Sequence, residues 1–526
     1  MGGKRKMAEK MAGGLYRLGN SVVRIVGSLI FLFLVVCALI FTQYMPPGGA
    51  EIPLNRTDSV VLNLLALVLA FAAIWLLTFL EDRLDVSARR KARRISGAVM
   101  LLWIAAAGFW WVNSSAHVPE GDQAYIYGGA SYFLEGNYDF LRPGGYCDMY
   151  PYQLGLMALC ELLFMAAGPL NYYVFEVICV LLAAGSAYCG YRIASEIMGD
   201  SLGAAGYNVL MLGCLPLIFY TPWVYGDIPS IFFAMLAGWM LLAYSRRGRT
   251  HCLVIMAFAL MCAMLVRKNS AILLLAACMA GLLYALVHRD KKLVLALLAS
   301  VVLSQGAYTI VYEVYEARSG YEHSEGIPFA VWLATGVEET KGTCGWDNDY
   351  YKQVYFESGF DAEATAEVAK EVFRERIGVF ARDPVYCAKF FGKKILSQWN
   401  GPLYQALFFN AESEEEPGGP PAGSLAAKLG DEYYEGVLAF CDRWQFIVYA
   451  GMLCYFLFGV KRDSDMLMHV LAIAVIGGFF YSVISEAKGR YIFPYYVFMF
   501  PFAVYGLREA VRWGTARLGT RKSRMV

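Results

Sequence analysis

The stretch VVRIVGSLIFLFLVVCALIF, residues 22–41, decides the fold class. It follows a basic segment carrying Lys4, Arg5, Lys6, Lys10 and Arg17. As a helix, about 20 apolar residues cross the hydrocarbon core of a bilayer. The run is too long for the core of a signal peptide, and no small-residue cleavage site follows it. It therefore reads as a first transmembrane helix.

The rest of the chain repeats the pattern. Of 526 residues, 58% are hydrophobic, 15% aromatic and only 17% charged. Mean hydropathy is +0.46. Soluble domains rarely have this composition, whereas helical membrane proteins do. The formal net charge of +1 gives no global basic field and no case for nucleic acid. Thirteen apolar stretches stand out: 22–43, 59–80, 96–113, 151–167, 171–195, 203–222, 229–245, 251–266, 270–287, 293–312, 443–459, 466–484 and 491–507. The expected fold is an all-α polytopic membrane protein.

Basic residues assign the sides. The N-terminal segment, residues 81–95 (with Arg89-Arg90-Lys91 and Arg93-Arg94), Arg246-Arg247, Lys291-Lys292, Lys461-Arg462 and the tail from Arg508 are expected in the cytoplasm. Residues 44–57 and 114–150 carry one cation each and are expected outside. Walking along this topology places Asp122 and Asp227 on the outer side. Three apolar stretches separate them, yet parity demands an even number of crossings. The short stretch 151–167, which opens on Tyr150-Pro151-Tyr152, is assigned as re-entrant or tilted. About twelve transmembrane helices result, with both termini cytoplasmic. Four regions follow: a transmembrane hairpin with basic ends (1–95), a transmembrane region with a first outer loop at 114–150 (96–312), a mainly helical extracytoplasmic loop domain (313–442), and C-terminal helices with a basic tail (443–526).

The loop domain holds 23 of the chain's 44 acidic residues against 11 Lys and Arg. Asp361 caps a predicted helix ending near Asp383. Asp383-Pro384 starts a second, which mixes Phe391, Ile395 and Trp399 with Lys389, Lys393 and Lys394 and suits a membrane surface. The segment Glu412 to Pro421 reads as a flexible excursion. Most of the 13 cysteines sit in apolar runs and read as small buried hydrophobes. Cys147, Cys344, Cys387 and Cys441 lie in outer loops, where a disulfide and free thiols both remain open. No P-loop, GxSxG, HExxH or Cys/His metal spacing occurs.

Charges at the outer boundary of so apolar a chain are costly and read first as functional. Asp122 lies in Glu120-Gly-Asp122-Gln123, and Asp227 in Tyr225-Gly-Asp227-Ile-Pro229. Each carries a competing reading as a helix cap. Asp148 and Tyr150 close the first outer loop, where Asp148 suits a sugar hydroxyl and Tyr150, with Tyr152, also suits an interfacial aromatic belt. Arg267 and Lys268 sit in a short outer turn, against the positive-inside trend, and suit a phosphate or lipid headgroups. Glu486, Arg490 and Tyr491 form a similar late cluster, in which Glu486 and Arg490 are four apart and also suit a simple ion pair. His117 and His323 are assigned no role.

The order of these features resembles the GT-C class of membrane glycosyltransferases, in particular the protein-mannosyltransferase-like and aminoarabinose-transferase-like families. The resemblance covers about residues 96–510. It rests on Asp122 after an early helix, on Tyr150-Pro151, on Asp227 at a helix boundary, on Arg267 or Lys268 in a later outer turn, and on Arg490-Tyr491 near the end. It implies a polyprenyl-phosphate sugar as donor and a cell-envelope glycan, lipid or protein as acceptor. Asp122 and Asp227 would then be catalytic, with Asp148, Tyr150, Arg267, Lys268, Glu486, Arg490 and Tyr491 binding substrate. Two helices precede the usual first one. Gly-Asp-Gln stands where many relatives carry a second acidic neighbour, which leaves a divalent metal open and no metal ligand assigned. The expected reaction is an inverting displacement on the outer face of the cell membrane. The alternatives are a transporter or lipid flippase and a non-catalytic scaffold, although no inverted repeat supports the first of these.

Overall fold

A computed structural model describes residues 2–340, 342–408 and 419–523. The chain is an all-α polytopic membrane protein. Among the described residues, nine helices are long and apolar enough to cross a bilayer: Glu9–Ile40, Val60–Glu81, Val86–Ser115, Tyr172–Met198, Asp227–Arg247, Lys268–His288, Lys291–Ser319, Tyr434–Gly459 and Met466–Ile484. Each coincides with an apolar stretch of the sequence. The remaining expected crossings fall on Thr250–Val266, on the broken pair Gly203–Leu212 and Leu215–Phe219, and on Phe493–Ser523, which holds Pro501. Helix starts follow local chemistry. Asp85 Oδ1 accepts from Ala88 N at 2.6 Å, and Asp290 Oδ1 from Leu293 N at 3.1 Å.

The broken pair traverses the molecule beside Val86–Ser115. At one end Arg93 donates to Asp200 Oδ1 at 2.9 Å. Further along, Asn208 Nδ2 donates to Ser96 Oγ (2.9 Å) and Trp103 Nε1 to Leu212 O (3.1 Å). At the far end Trp111 Nε1 donates to Phe219 O at 3.2 Å. The two segments therefore advance in the same direction over the same depth. The helix Leu154–Ala167 does not. Its 14 residues reach only about 21 Å, and it is bent 101° from the preceding segment. Just before its start, Gln153 Nε2 donates to Tyr225 OH; just beyond its end, Leu170 N donates to Ser131 Oγ at 2.9 Å. Both contacts lie at the Asp122 end of the bundle.

The 313–442 region begins and ends inside long helices, because Lys291–Ser319 and Tyr434–Cys454 both run into it. Hydropathy falls before the helices stop. Between them lie Phe329–Thr335, Tyr350–Glu357, Ala362–Arg382 and Pro384–Trp399. Asp361 Oδ1 caps the third from Glu363 N and Ala364 N (2.8 and 3.0 Å), and Asp383 Oδ1 caps the fourth from Tyr386 N (2.9 Å).

The fourth helix differs from its expected role on a membrane surface. Phe390, Lys394 and Trp399 are buried. Lys394 Nζ donates to the carbonyls of Gly336, Val483 (3.0 Å) and Ser485 (2.6 Å). Trp399 Nε1 donates to Ser482 Oγ at 2.9 Å. This helix thus fastens the loop domain to the end of Val470–Ile484. The excursion expected at Glu412 to Pro421 lies mostly outside the described residues. All 13 cysteines are free thiols.

Candidate active site

Asp122 and Asp227 each stand in the first turn of a helix, Asp122–Leu134 and Asp227–Arg247, with Gly121 and Gly226 at the capping positions. Neither aspartate is therefore the capping residue itself, and the two carboxylates are used differently. Asp122 keeps its side chain 40% exposed. Tyr225 OH donates to its Oδ2 at 3.4 Å, and an Arg490 nitrogen lies 3.5 Å from the same oxygen. The next residue, Gln123, fixes the turn: its buried Oε1 accepts from Val224 N at 2.9 Å and lies 3.1 Å from His117 Nε2. Burial pushes the His117 imidazole down to about 4, so it stays neutral and serves as a structural wedge stacked on Trp223.

Asp227 is 1% exposed. Its Oδ1 accepts from the Arg267 guanidinium, itself buried, and its Oδ2 has no hydrogen-bond partner. The local sequence explains the contact. A Cβ at Gly226 would stand 2.1 Å from Val266 O, so only glycine lets the Tyr-Gly-Asp turn lie against the 266–267 backbone. Asp227 is a counter-ion held in place by that approach.

Arg490 stacks its guanidinium 4.4 Å from the Tyr225 ring centre. Its backbone N donates to Gln405 Oε1 at 3.1 Å, Gln405 Nε2 donates to Glu51 Oε1 at 2.8 Å, and Lys488 Nζ pairs with that oxygen at 3.1 Å. The loop between Phe41–Tyr44 and Leu54–Thr57 thus reaches the site. Glu486 Oε2 accepts from Tyr491 OH at 3.1 Å. Burial pushes the Glu486 carboxyl up to about 7.

A cavity of about 380 Å³ adjoins these groups. Tyr152, Tyr225, Arg267, Lys268, Glu486 and Tyr491 form its polar wall, and Ile272, Phe329 and Trp332 form its apolar wall. Lys268 is exposed, 5.6 Å from the Tyr152 ring centre. Among the described residues it has no carboxylate within ion-pair distance, unlike Arg267 and Arg490.

Of the remaining expected site residues, Asp148 lies away from the cavity and Tyr150 packs just behind its wall. Asp148 is buried, and its Oδ2 accepts from Gly144 N (2.8 Å) and Tyr355 OH (3.1 Å), which ties the first loop to the loop domain. Tyr150 is buried behind Tyr152, near Trp332 and Tyr351. Sequence reasoning left out Tyr225, Gln153, Glu51 and Lys394. Tyr225 had a signal, since it directly precedes Gly-Asp227. The others join the site only through long-range packing. Among the described residues, no three His, Cys, Asp or Glu side chains are grouped to hold a metal ion.

No family model matches the chain, and no curated protein matches it. Among solved structures it is similar to the archaeal oligosaccharyltransferase AglB from Archaeoglobus fulgidus, solved in complex with an inhibitory peptide and a dolichol-phosphate. The TM-score is 0.41 at 16% identity, over 82% of this chain and 52% of that one. The chain therefore spans about half the length of that structure.

Proposed function

We propose that the protein is a GT-C class glycosyltransferase that moves a sugar from a polyprenyl-phosphate carrier to an acceptor hydroxyl on the outer face of the membrane. The observation that carries the reading is Asp122. It is a partly exposed carboxylate beside Arg490 and Tyr225, and Tyr225 in turn lines the cavity that holds Lys268, a cation with no carboxylate partner among the described residues.

Asp122 accepts the proton of the acceptor hydroxyl as that oxygen attacks the anomeric carbon. The bond from the anomeric carbon to the phosphate oxygen breaks, and the configuration inverts. Lys268 meets the departing phosphate as a point charge, and Arg490 adds a second cation where charge develops. The Asp227 carboxylate offsets Arg267, so Arg267 contributes chiefly shape and hydrogen bonds. The apolar wall suits the first isoprene units of a carrier. The gathering of these charges at one end of the bundle supports surface chemistry over translocation.

The test is purified protein in bilayer discs with polyprenyl-phosphate sugars, scored by release of the lipid phosphate. Asp122→Asn is expected to slow release by roughly 10²–10⁴. Full transfer by that variant overturns the mechanism.

A further inference from the structure

The helix that begins at Asp122 carries a second feature that the donor chemistry does not use. Tyr125 and Tyr132 lie on one side of it, two turns or about 10.5 Å apart, and are 48% and 46% exposed. Neither ring is loose. Phe140 meets both edge-on, at 5.8 and 5.7 Å between ring centres. Tyr125 also lies flat on the buried Tyr146 ring, at 4.7 Å and 10°.

Two adjacent glycines, unfavourable in a helix interior, are explained by this arrangement. A Cβ at Gly129 would stand 2.8 Å from the Phe140 ring, so Gly129 seats the brace. Phe140 thus sits between the two tyrosines, and a Cβ at Gly128 would meet nothing within 4 Å, so the helix surface beside that brace is open. The stripe starts one turn from the Asp122 carboxylate. At its far end stand exposed Glu135, Asp139 and Arg142, with Arg142 paired to Asp139 at 2.9 Å. Charged groups thus flank the stripe at both ends, which suits contact with water more than with lipid tails.

We infer that this stripe is an acceptor subsite for a saccharide chain, with successive sugar rings laid on Tyr125 and Tyr132 and the terminal hydroxyl delivered to Asp122. Sugar rings present C–H faces that pack on braced aromatic rings. Their rim hydroxyls find the tyrosine hydroxyls and the flanking carboxylates. Two half-exposed rings braced by Phe140 and set about two turns apart offer separate platforms for successive sugar units, next to the carboxylate that receives the hydroxyl proton. The inference rests on the proposed transfer reaction and names its acceptor class.

The test measures direct binding to the full chain in bilayer discs by saturation-transfer NMR, with β-1,4-linked hexamers of glucose and of N-acetylglucosamine as probes. At least one hexamer is expected to bind. Tyr125→Ala, Tyr132→Ala and Gly128→Leu are each expected to weaken it by about tenfold. Tyr132→Trp, which retains a flat ring, is expected to keep it. Asp122→Asn is expected to bind the hexamer while losing transfer, which separates this inference from the reaction itself. The inference is overturned if neither hexamer binds, if the alanine variants bind like wild type, or if the indole fluorescence gained in Tyr125→Trp is quenched by brominated acyl chains.

Discussion

The turns that carry Asp122 and Asp227 start from the same local pattern, a Gly-Asp pair opening a helix, and end in opposite electrostatic states. Asp227 is sealed at 1% exposure against Arg267. Asp122 stays 40% exposed, with its nearest polar partners at 3.4 and 3.5 Å. A buried charge persists only when it is paired, and a paired charge is poorly available to substrate. Under the proposed function, the contrast casts Asp227 as scaffold and Asp122 as the group that does chemistry.

The sharpest way to break this contrast is to neutralise each carboxylate in turn. Asp122→Asn is expected to reduce turnover by roughly 10²–10⁴, with the melting temperature in detergent unchanged. Asp227→Asn is expected to do the reverse in kind. It leaves Arg267 buried and unpaired, at about 3–5 kcal/mol, and lowers the melting temperature before activity is considered. Asp227→Asn with Arg267→Met, which removes both charges, recovers much of that loss. If Asp227→Asn melts like wild type, the pair is no scaffold.

The same contrast marks what the sequence could disclose. Nine apolar runs became the nine long apolar helices, and Asp361 and Asp383 became caps, because hydropathy and capping are local properties. The use of Asp227 is not local. It is decided by Arg267, forty positions away, and by the absence of a side chain at Gly226. Glu51 reaches the site through Gln405, more than three hundred positions distant. Lys394 sits in a helix whose amphipathic pattern predicts a membrane surface, and only docking against Gly336, Val483 and Ser485 reveals that it is buried. Parity could say that one stretch between the aspartates fails to cross. The length of Leu154–Ala167 and the contacts at its ends single it out.

A smaller effect is expected at the cavity mouth. Lys268 has no carboxylate beside it among the described residues, so inside the protein Lys268→Met gives up only the contact with the Tyr152 ring. The expected outcome is a rise of about tenfold in KM for the lipid-phosphate donor, an unchanged melting temperature and a modest fall in kcat. A drop in kcat alone would place Lys268 on the transition state instead of the resting phosphate.

The finest distinction is one of pH, between two buried groups on either side of the docking seam. Burial raises Glu486 from 4.5 to about 7, Asp347 and Glu51 add to the rise, and Lys488 and the Tyr491 hydroxyl oppose it. Burial lowers Lys394 from 10.5 to about 7, against the attraction of Glu486. The signs differ. A carboxyl with a raised folded value makes the folded state hold a proton that the unfolded chain has lost. Its stability is therefore fully present below about 4.5 and is lost as pH rises through about 7. A lysine with a lowered folded value contributes stability above about 10.5 that is lost as pH falls through about 7. The windows meet near neutrality and do not overlap. Thermal unfolding across pH should therefore give Glu486→Gln a flatter profile than wild type on the acid side only, and Lys394→Met a flatter profile on the alkaline side only. Lys394→Met also leaves three carbonyls without their donor, so its whole profile should sit lower. If both variants flatten the same side, the two groups titrate as one pair across the seam, and the loop domain and the Arg490 loop share a single proton.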